Sequence, residues 1–487
     1  MKILNFFVLV VLCGCTLTNP ATPGRVPSWT DSPPRTAYPT GTAPSSLPSP
    51  FPTGAPASNS IGDAYTPELG TADLDVEQYD IQLTIDPQVE DLLAQVRVRG
   101  KALRDGLEEV VLDFVGFEIQ SIESNGAVLN YRRSGDKLFI SLAEKLPAGG
   151  GFDLVIRYQG IPEKRTSPFI PGVGNLGLLW VNGTVFAASE PDGTRFWLPC
   201  NDHPRDKATV RYDILVPAGI TVAANGKLVS AQLNITGGFP DGRDASRFIW
   251  EHAVPVATYL MTVVAGPMQR IEDVSPEGVP LRHYLVEEDV PAFEKVRGDI
   301  GGWVDWLAAR LGKYPFEEFG YTVIRGWDAS LETQTLVLME AQASDNPSVY
   351  FHELVHQWFG DWVSLDSWSE IWRNEGLATY LTVLYETQGD EGALEEVILQ
   401  FKSRTTPSRY PLGWPPKYEM FSSPSYLKGA VLAHELRKQT GDEAFFAGLR
   451  SYFQKYGGRT ASDAQFLDEL EAASKIDLRS IYDLYIN

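Results

Sequence analysis

Two histidines four residues apart, with a glutamate beside the first, constrain this sequence more than any other feature. They are His352 and His356, and the glutamate is Glu353. On an α-helix, residues four apart project from the same face, so both imidazoles can reach one point. The chain has six histidines in 487 residues, and the chance expectation of this pattern is on the order of 0.005. The fold must therefore include a helix that presents both side chains together.

A second helical segment carries Glu375, nineteen residues after His356. Two imidazoles and one carboxylate are a typical ligand set for a catalytic zinc ion, which keeps a fourth position open for water. Glu353 lies beside the first ligand, near enough to take a proton from that water. The pattern predicts one Zn²⁺ per chain, held by His352, His356 and Glu375, with Glu353 as the general base.

This stretch resembles the aminopeptidase N-like zinc metallopeptidases, which are gluzincins, a group that also includes leukotriene hydrolase. The residues that carry the resemblance are His352, Glu353, His356, Trp358-Phe359-Gly360 and Asn374-Glu375-Gly376-Leu377-Ala378. The similarity extends from about Tyr79 to the C-terminus. It implies an N-terminal β-domain, a thermolysin-like catalytic domain and hydrolysis of peptides from their free N-terminus.

Three further positions are implied by the resemblance alone. Tyr426 matches the family's catalytic tyrosine, whose phenol donates to the oxyanion of the tetrahedral intermediate. The alternative for Tyr426 is that it is a buried structural tyrosine. Glu332 resembles the glutamate of the G-x-M-E-N motif, which binds the α-ammonium group of the substrate. Three neighbours depart from that motif: Ala329, Leu331 and Thr333. Glu190 resembles a second ammonium-binding position from the β-domain, with a solvated surface glutamate as the alternative.

The hydrophobic periodicity divides the folded part of the chain in two. Apolar and polar residues alternate with period two between Tyr65 and Gly266, in short runs separated by Gly and Asn turns. This pattern predicts an antiparallel β-sandwich over residues 63–270. After about Arg282 the period approaches 3.6, which predicts an α/β, mainly helical catalytic domain over residues 271–487.

The C-terminal segment bears on the shape of the expected cleft. Only 61 residues follow Tyr426, enough to complete the catalytic domain and nothing more. Relatives that continue into a further helical domain wall in the active site. We therefore expect an open cleft between the β-domain and the zinc helices.

The first 62 residues differ in composition from the rest. Residues 1–15 have the pattern of a secretory signal peptide, because a lysine precedes a short apolar run that ends in small residues. Leu12-Cys13-Gly14-Cys15 resembles a bacterial lipoprotein box, which predicts lipidation of Cys15 and a membrane anchor outside the cytoplasm; an ordinary cleaved signal is the alternative. Residues 16–62 hold 11 of the 34 prolines and are predicted to be a disordered linker.

Overall charge limits the range of partners. The chain has 63 acidic and 41 basic residues, a net charge of −22. An anionic surface of this size argues against nucleic acid as a partner. Cys200 is the one cysteine outside the leader, so the fold is not a disulfide scaffold, and we expect that thiol to be buried.

These patterns together predict a zinc-dependent aminopeptidase that acts on peptides with a free N-terminus. Two alternatives stay open. A zinc endopeptidase of the same fold would use every zinc residue but would not depend on Glu332 and Glu190. A non-catalytic peptide-binding lipoprotein would be expected to have lost a ligand, Glu353 or Tyr426, and the sequence retains them all.

Overall fold

The computed structural model describes residues 59–405 and 410–487. The predicted signal peptide, Cys15 and residues 16–58 of the predicted linker lie outside this part of the chain. Within it, a sheet-rich domain is followed by a mainly helical one, which confirms the predicted fold class. None of the helices in the described residues is long and apolar enough to cross a membrane.

Strands build the N-terminal domain. Their bounds are β1 (Leu74–Asp86), β2 (Val89–Ala102), β3 (Leu107–Asp113), β4 (Glu118–Ser124), β5 (Ala127–Val128), β6 (Tyr131–Ser134), β7 (Lys137–Leu146), β8 (Gly151–Gly160), β9 (Arg165–Thr166), β10 (Asn175–Val181), β11 (Thr184–Ala188), β12 (Lys207–Pro217), β13 (Thr221–Ala224), β14 (Lys227–Ile235), β15 (Ala245–Ala257) and β16 (Val263–Gly266).

The strands form three sheets around one core. The largest has the order β14-β15-β12-β1-β2-β8-β4-β5, the second β13-β16-β11-β10-β9 and the smallest β3-β7-β6. Tyr79, Leu112 and Phe186, one from each sheet, are fully buried in the same apolar cluster. The period-two alternation puts every second side chain on this inner face.

The prediction of an antiparallel sandwich needs two corrections. Strands β1 and β12 pair in parallel, with Ile81 opposite Tyr212, because alternation reports which face is buried and not the direction of the neighbouring strand. Near the end of the alternating region, which the sequence extends to Gly266, a 3₁₀ turn at Thr258–Leu260 interrupts the strands before β16.

The first described residues join the two domains. Residues 59–62 were predicted to belong to the disordered linker, but they contact the folded chain. The amide of Ile61 donates to the backbone oxygen of Leu69 at 3.2 Å. Asp63 Oδ2 lies 3.2 Å from His203 Nε2 and accepts from the Trp368 amide at 2.9 Å. This segment therefore connects the β-domain to the catalytic domain.

The catalytic domain combines a small sheet with helices. Its strands are β17 (Gln269–Val274), β18 (Pro280–Leu285), β19 (Tyr321–Ile324), β20 (Val337–Glu340), β21 (Ser364–Leu365) and β22 (Thr460–Ala461). Its helices are α1 (Val290–Leu311), α2 (Pro347–Val355), α3 (Trp372–Glu386), α4 (Glu391–Thr405), α5 (Gly429–Thr440), α6 (Asp442–Tyr456), α7 (Asp463–Ser474) and α8 (Arg479–Ile486).

Apolar packing explains why the two domains hold a fixed arrangement. Helix α1 buries an apolar face that includes Ile300 and Trp303, and it ends before Gly312. The β-domain core continues into the catalytic domain through Trp327 and Trp368, which belong to the same buried cluster. Burial of this shared surface is the main favourable term in docking the domains. A cleft results at the junction, and α2 and α3 lie along it.

Candidate active site

Helix α2 carries the predicted zinc histidines. Its first residue is Pro347, and the side chain of Asn346 accepts from the Ser348 amide at 3.1 Å, so the helix begins with an N-cap and a proline. His352 and His356 project from one face, and their Nε2 atoms lie 3.1 Å apart.

Helix α3 brings Glu375 to the two imidazoles. Glu375 Oε2 lies 3.3 Å from His352 Nε2 and 3.5 Å from His356 Nε2. A tetrahedral zinc ion with bonds of about 2.1 Å separates neighbouring ligand atoms by about 3.4 Å. The spacing of the three donors and their chemistry therefore fit zinc, and the predicted ligand set comes together in the structure.

Close backbone approaches set the relative position of these helices. Gly360 has a φ of +112°, and a Cβ there would lie 2.9 Å from Asn374 Nδ2, next to the third ligand. A Cβ on Gly376 would lie 2.6 Å from the Cα of Gly429, where α3 crosses the start of α5. Larger residues at these positions would separate Glu375 from the two histidines.

One zinc histidine has a clear orienting partner. His356 Nδ1 lies 3.1 Å from the backbone oxygen of Phe359, to which it donates when Nε2 is the metal-binding nitrogen. The sequence predicts that such partners exist but does not identify them. This partner arises because the chain turns back immediately after α2, which a periodicity argument does not reveal.

Glu353 lies in the same cavity as the zinc ligands and is 8% exposed. Burial raises the pKa of its carboxyl well above the usual range, and the neighbouring carboxylates of Glu332 and Glu375 add to the effect. A raised pKa suits a group that accepts a proton and then releases it. The position is the one expected of a general base.

Tyr426 approaches the site from a π-helical turn at Pro424–Lys428. Its ring stacks on the imidazole of His352, with centroids 5.9 Å apart and an interplanar angle of 20°. Burial, followed by the charge of Glu375, raises the pKa of the phenol well above its usual value. The hydroxyl therefore stays protonated at neutral pH and is available as a donor beside the zinc ligands.

Glu190 and Glu332 meet on the other side of Glu375, and carboxylate oxygens of all three lie within 4.8 Å of one another. Glu190 comes from the loop after β11, and Glu332 precedes β20. One oxygen of each, Oε1, is buried without a hydrogen-bond partner among the described residues. Burial and mutual repulsion raise the pKa of Glu190 well above its usual range. The pair therefore favours a cation between its oxygens.

Two functional positions were missed by sequence reasoning. Gln357, next to the second ligand, donates from Nε2 to the backbone oxygen of Glu332 at 3.2 Å. Tyr259 is 1% exposed, and its hydroxyl has no hydrogen-bond partner among the described residues. Burial, followed by the charges of Glu190 and Glu332, raises the pKa of its phenol. Gln357 could have been suspected as a polar residue on a buried helix, whereas Tyr259 gives no local signal.

The predicted site residues face one cavity of about 790 Å³. The β-domain contributes an apolar wall that includes Phe169 and Ile170, and the catalytic domain contributes Trp327 and Leu331. The cavity brings together every site residue predicted in the described chain, namely Glu190, Glu332, His352, Glu353, His356, Glu375 and Tyr426. A space of this volume accommodates several residues of a peptide.

Family comparisons agree with this geometry. Residues 75–260 match the peptidase M1 N-terminal domain, and residues 315–485 match the peptidase family M1 domain. A Probable aminopeptidase 1 of Sulfurisphaera tokodaii is 24% identical over 84% of this chain and 52% of its own length. The human Glutamyl aminopeptidase is 26% identical over 63% of this chain and 34% of its own length. The chain thus spans about half the length, or less, of these relatives.

Solved structures of similar length match nearly end to end. A mutant M1 zinc metallopeptidase from Deinococcus radiodurans, bound to a Tyr-Ser-Ala substrate, has a TM-score of 0.78 and 30% identity, covering 88% of this chain and 97% of that one. A two-domain M1 zinc metallopeptidase mutant bound to L-tryptophan has a TM-score of 0.80 and 30% identity. This match covers 88% of this chain and 98% of that one. With the zinc ligand set described above, these matches show that the chain belongs to peptidase family M1, a family of zinc metallopeptidases.

Proposed function

We propose that the protein is an aminopeptidase that removes residues from the free N-terminus of peptides. The observation that carries the proposal is the pair of buried carboxylates, Glu190 and Glu332, beside the zinc ligand Glu375. Their unpartnered oxygens suit an α-ammonium group held there by charge-assisted hydrogen bonds. A peptide bound in this way places its first peptide bond next to the zinc ligands.

Bound zinc supplies Lewis-acid polarisation of the scissile carbonyl and of the attacking water. Glu353 takes a proton from the water as it attacks the carbonyl carbon, and the C–N bond later breaks as Glu353 passes that proton to the leaving amine. Tyr426 donates its O–H to the oxyanion that develops on the carbonyl oxygen. The apolar wall of the cavity limits the access of bulk water, which strengthens each of these interactions.

Substitution of Glu332 separates this function from a zinc endopeptidase. Glu332→Ala should lower kcat/KM for free-amine peptides by about two orders of magnitude, because it leaves the substrate ammonium with half of its anionic partners. Peptides with an acetylated N-terminus, which are poor substrates, should change little. Glu396→Ala is a matched control, because Glu396 is an exposed carboxylate on α4. Equal losses for free and acetylated peptides in Glu332→Ala would favour the endopeptidase.

We also propose that the enzyme acts outside the cytoplasm, tethered to a membrane through Cys15. The support is the lipoprotein-like Leu12-Cys13-Gly14-Cys15 sequence and the proline-rich stretch that follows it. In a bacterial host the wild type should fractionate with membranes and dissolve in detergent, whereas Cys15→Ser should be released or misprocessed. Wild-type protein found entirely in the soluble fraction would contradict the anchor.

A further inference from the structure

Two antiparallel helix faces form the floor of the cavity and extend it well beyond the zinc ligands. On α2 the lining residues are Val349, His352 and Glu353, followed by His356 just after the helix end; on α3 they are Glu375, Thr379, Thr382, Val383 and Glu386. Each set follows the three-and-four spacing of a single helix face. The cavity therefore runs along both helices rather than ending at the zinc site.

Glu386 marks the far end of this floor. Eleven residues separate it from Glu375, which corresponds to about 16 Å along a helix at 1.5 Å per residue. Ser348, near the start of α2, donates a hydrogen bond from its hydroxyl to Glu386 Oε1, so the two helices are tied together at this end. The ammonium-binding pair at Glu190 and Glu332 lies at the opposite end, beside Glu375.

The far end is negatively charged and lacks a counter-ion. Glu386 is partly buried and makes no ion pair with any residue in the described part of the chain, and burial raises the pKa of its carboxyl. It is also the last residue of α3, where the helix dipole adds partial negative charge. The N-terminus of α2 offsets part of this dipole, and Asp299 on α1, an exposed carboxylate, also lines the cavity.

The rest of the lining reinforces this charge. The lining residues that the structure describes include carboxylates at Glu190, Asp299, Glu332, Glu353, Glu375 and Glu386, and neither Lys nor Arg. The zinc ion and the substrate ammonium compensate the carboxylates near Glu375. Glu386 lies about 16 Å along α3 from Glu375, beyond the reach of both, so its charge remains for another group to neutralise.

We propose that this distal region binds a basic side chain of the peptide substrate, carried by its third residue, and that Glu386 is the residue that selects for it. The inference rests on the proposed aminopeptidase function and adds the substrate class. With the amine at Glu332 and the first carbonyl beside the zinc ligands, two further residues extend about 7 Å along the cavity. A lysine or arginine side chain and the Glu386 side chain together cover most of the remaining distance.

Matched tetrapeptides test the proposal. Leu-Ala-Lys-Ala, Leu-Ala-norleucine-Ala and Leu-Ala-Glu-Ala differ only in the third side chain, and norleucine keeps the four-carbon chain of lysine without its ammonium group. The wild type should cleave the lysine peptide with a kcat/KM about tenfold above the norleucine peptide at low salt, and the glutamate peptide should be poorest. Raising the salt concentration should reduce the differences, because partly exposed charge pairs are screened.

Variants of Glu386 assign the effect. Glu386→Gln keeps the length of the side chain, so it should bring the lysine-to-norleucine ratio close to one. Glu386→Lys should reverse the order and favour the glutamate peptide. Glu396→Gln removes an exposed carboxylate on α4 outside the cavity and should retain the wild-type ratio. Melting temperatures of all variants check that each one is folded.

Two results would overturn the inference: equal rates for the lysine and norleucine peptides in the wild type, or a lysine preference that survives in both Glu386 variants. Neither result would affect the proposed function, which predicts only that the amine is free. If N-acetylation of the norleucine peptide left its cleavage rate unchanged, the aminopeptidase proposal would fail, and the inference would fail with it. The acetylated control therefore separates the two failures.

Discussion

The side chain of Gln357 holds the backbone of Glu332, with 3.2 Å between Gln357 Nε2 and the Glu332 oxygen. The same nitrogen donates to Asp361 Oδ2 at 2.7 Å, and Gln357 Oε1 accepts from the Thr335 amide at 2.9 Å. Gln357 is fully buried and directly follows the ligand His356. One amide therefore fixes the distance between the segment that carries His356 and the segment before β20 that carries Glu332.

Replacing this amide should loosen Glu332 without removing it. Gln357→Leu leaves the Glu332 oxygen and the Thr335 amide buried without partners, at about 1–3 kcal/mol for each group. We expect a lower melting temperature and a several-fold higher KM for free-amine peptides, with zinc retained. Gln342→Leu, at an exposed glutamine, is the control. An unchanged KM in a stable Gln357→Leu protein would show that this hydrogen bond does not position Glu332.

Zinc content should distinguish the roles of Glu353 and His356. Glu353→Gln should retain one zinc per chain and lose a factor of about 10³ or more in kcat, because it removes a proton acceptor and no ligand. His356→Ala should lose most of the metal. Metal analysis of the purified variants, together with turnover, makes the comparison. Loss of zinc from Glu353→Gln would contradict its assignment as the base.

Tyr426 should act on the chemical step. Tyr426→Phe keeps the ring beside His352 but removes the hydroxyl, so kcat should fall by about 10²–10³ while KM changes little. Steady-state kinetics on a free-amine dipeptide reporter measures both constants. A loss that appears mainly in KM, or as a large drop in melting temperature, would instead indicate a packing role.

A pair at the domain junction should make stability depend on acid pH. Glu317 Oε2 lies 3.0 Å from His252 Nδ1. Burial of Glu317 opposes ionisation of its carboxyl, but the hydrogen bond with His252 outweighs burial and lowers the pKa of Glu317 to about 2. Because the folded pKa lies below the unfolded value near 4.5, the folded state binds fewer protons between these values. The pair therefore stabilises the fold above about pH 4.5 and ceases to do so as the pH falls toward 2.

Glu317→Gln tests this dependence. Since the carboxylate is partly exposed, we expect the wild type to exceed the variant by about 1 kcal/mol in the free energy of unfolding at pH 7. The difference should shrink as the pH is lowered from 4.5 toward 2. Urea unfolding at several pH values measures it. A difference that is the same at pH 7 and pH 3 would exclude an ionic contribution.

The parts of this fold that sequence predicts well depend on short-range spacing. His352, His356 and Glu375 were identifiable because their spacing along one helical turn and one intervening loop decides whether their side chains converge. In the structure, one ligand atom of each lies within 3.5 Å of the other two. The change of hydrophobic period after Arg282 likewise predicted the helices of the second domain. In both cases the information lies within about twenty-five residues.

The parts that sequence did not predict depend on contacts between distant segments. The parallel pairing of β1 with β12 joins strands more than a hundred residues apart, and alternation is the same for either direction. Tyr259 lies in the core shared by the two domains, a position that hydrophobic periodicity does not reveal. In the sequence, Glu386 is an ordinary carboxylate near the end of a helix. Its position in the cavity follows only from the packing of α2 beside α3.

The most direct test of the account compares one reporter with its acetylated twin. Wild-type protein is assayed with a leucine dipeptide reporter that has either a free or an N-acetylated amine, under the same conditions and with zinc content verified. If Glu190 and Glu332 bind the α-ammonium group, kcat/KM for the free amine should exceed that of the acetylated form by about 100-fold or more. Equal values for the two reporters would contradict the account and favour a zinc endopeptidase.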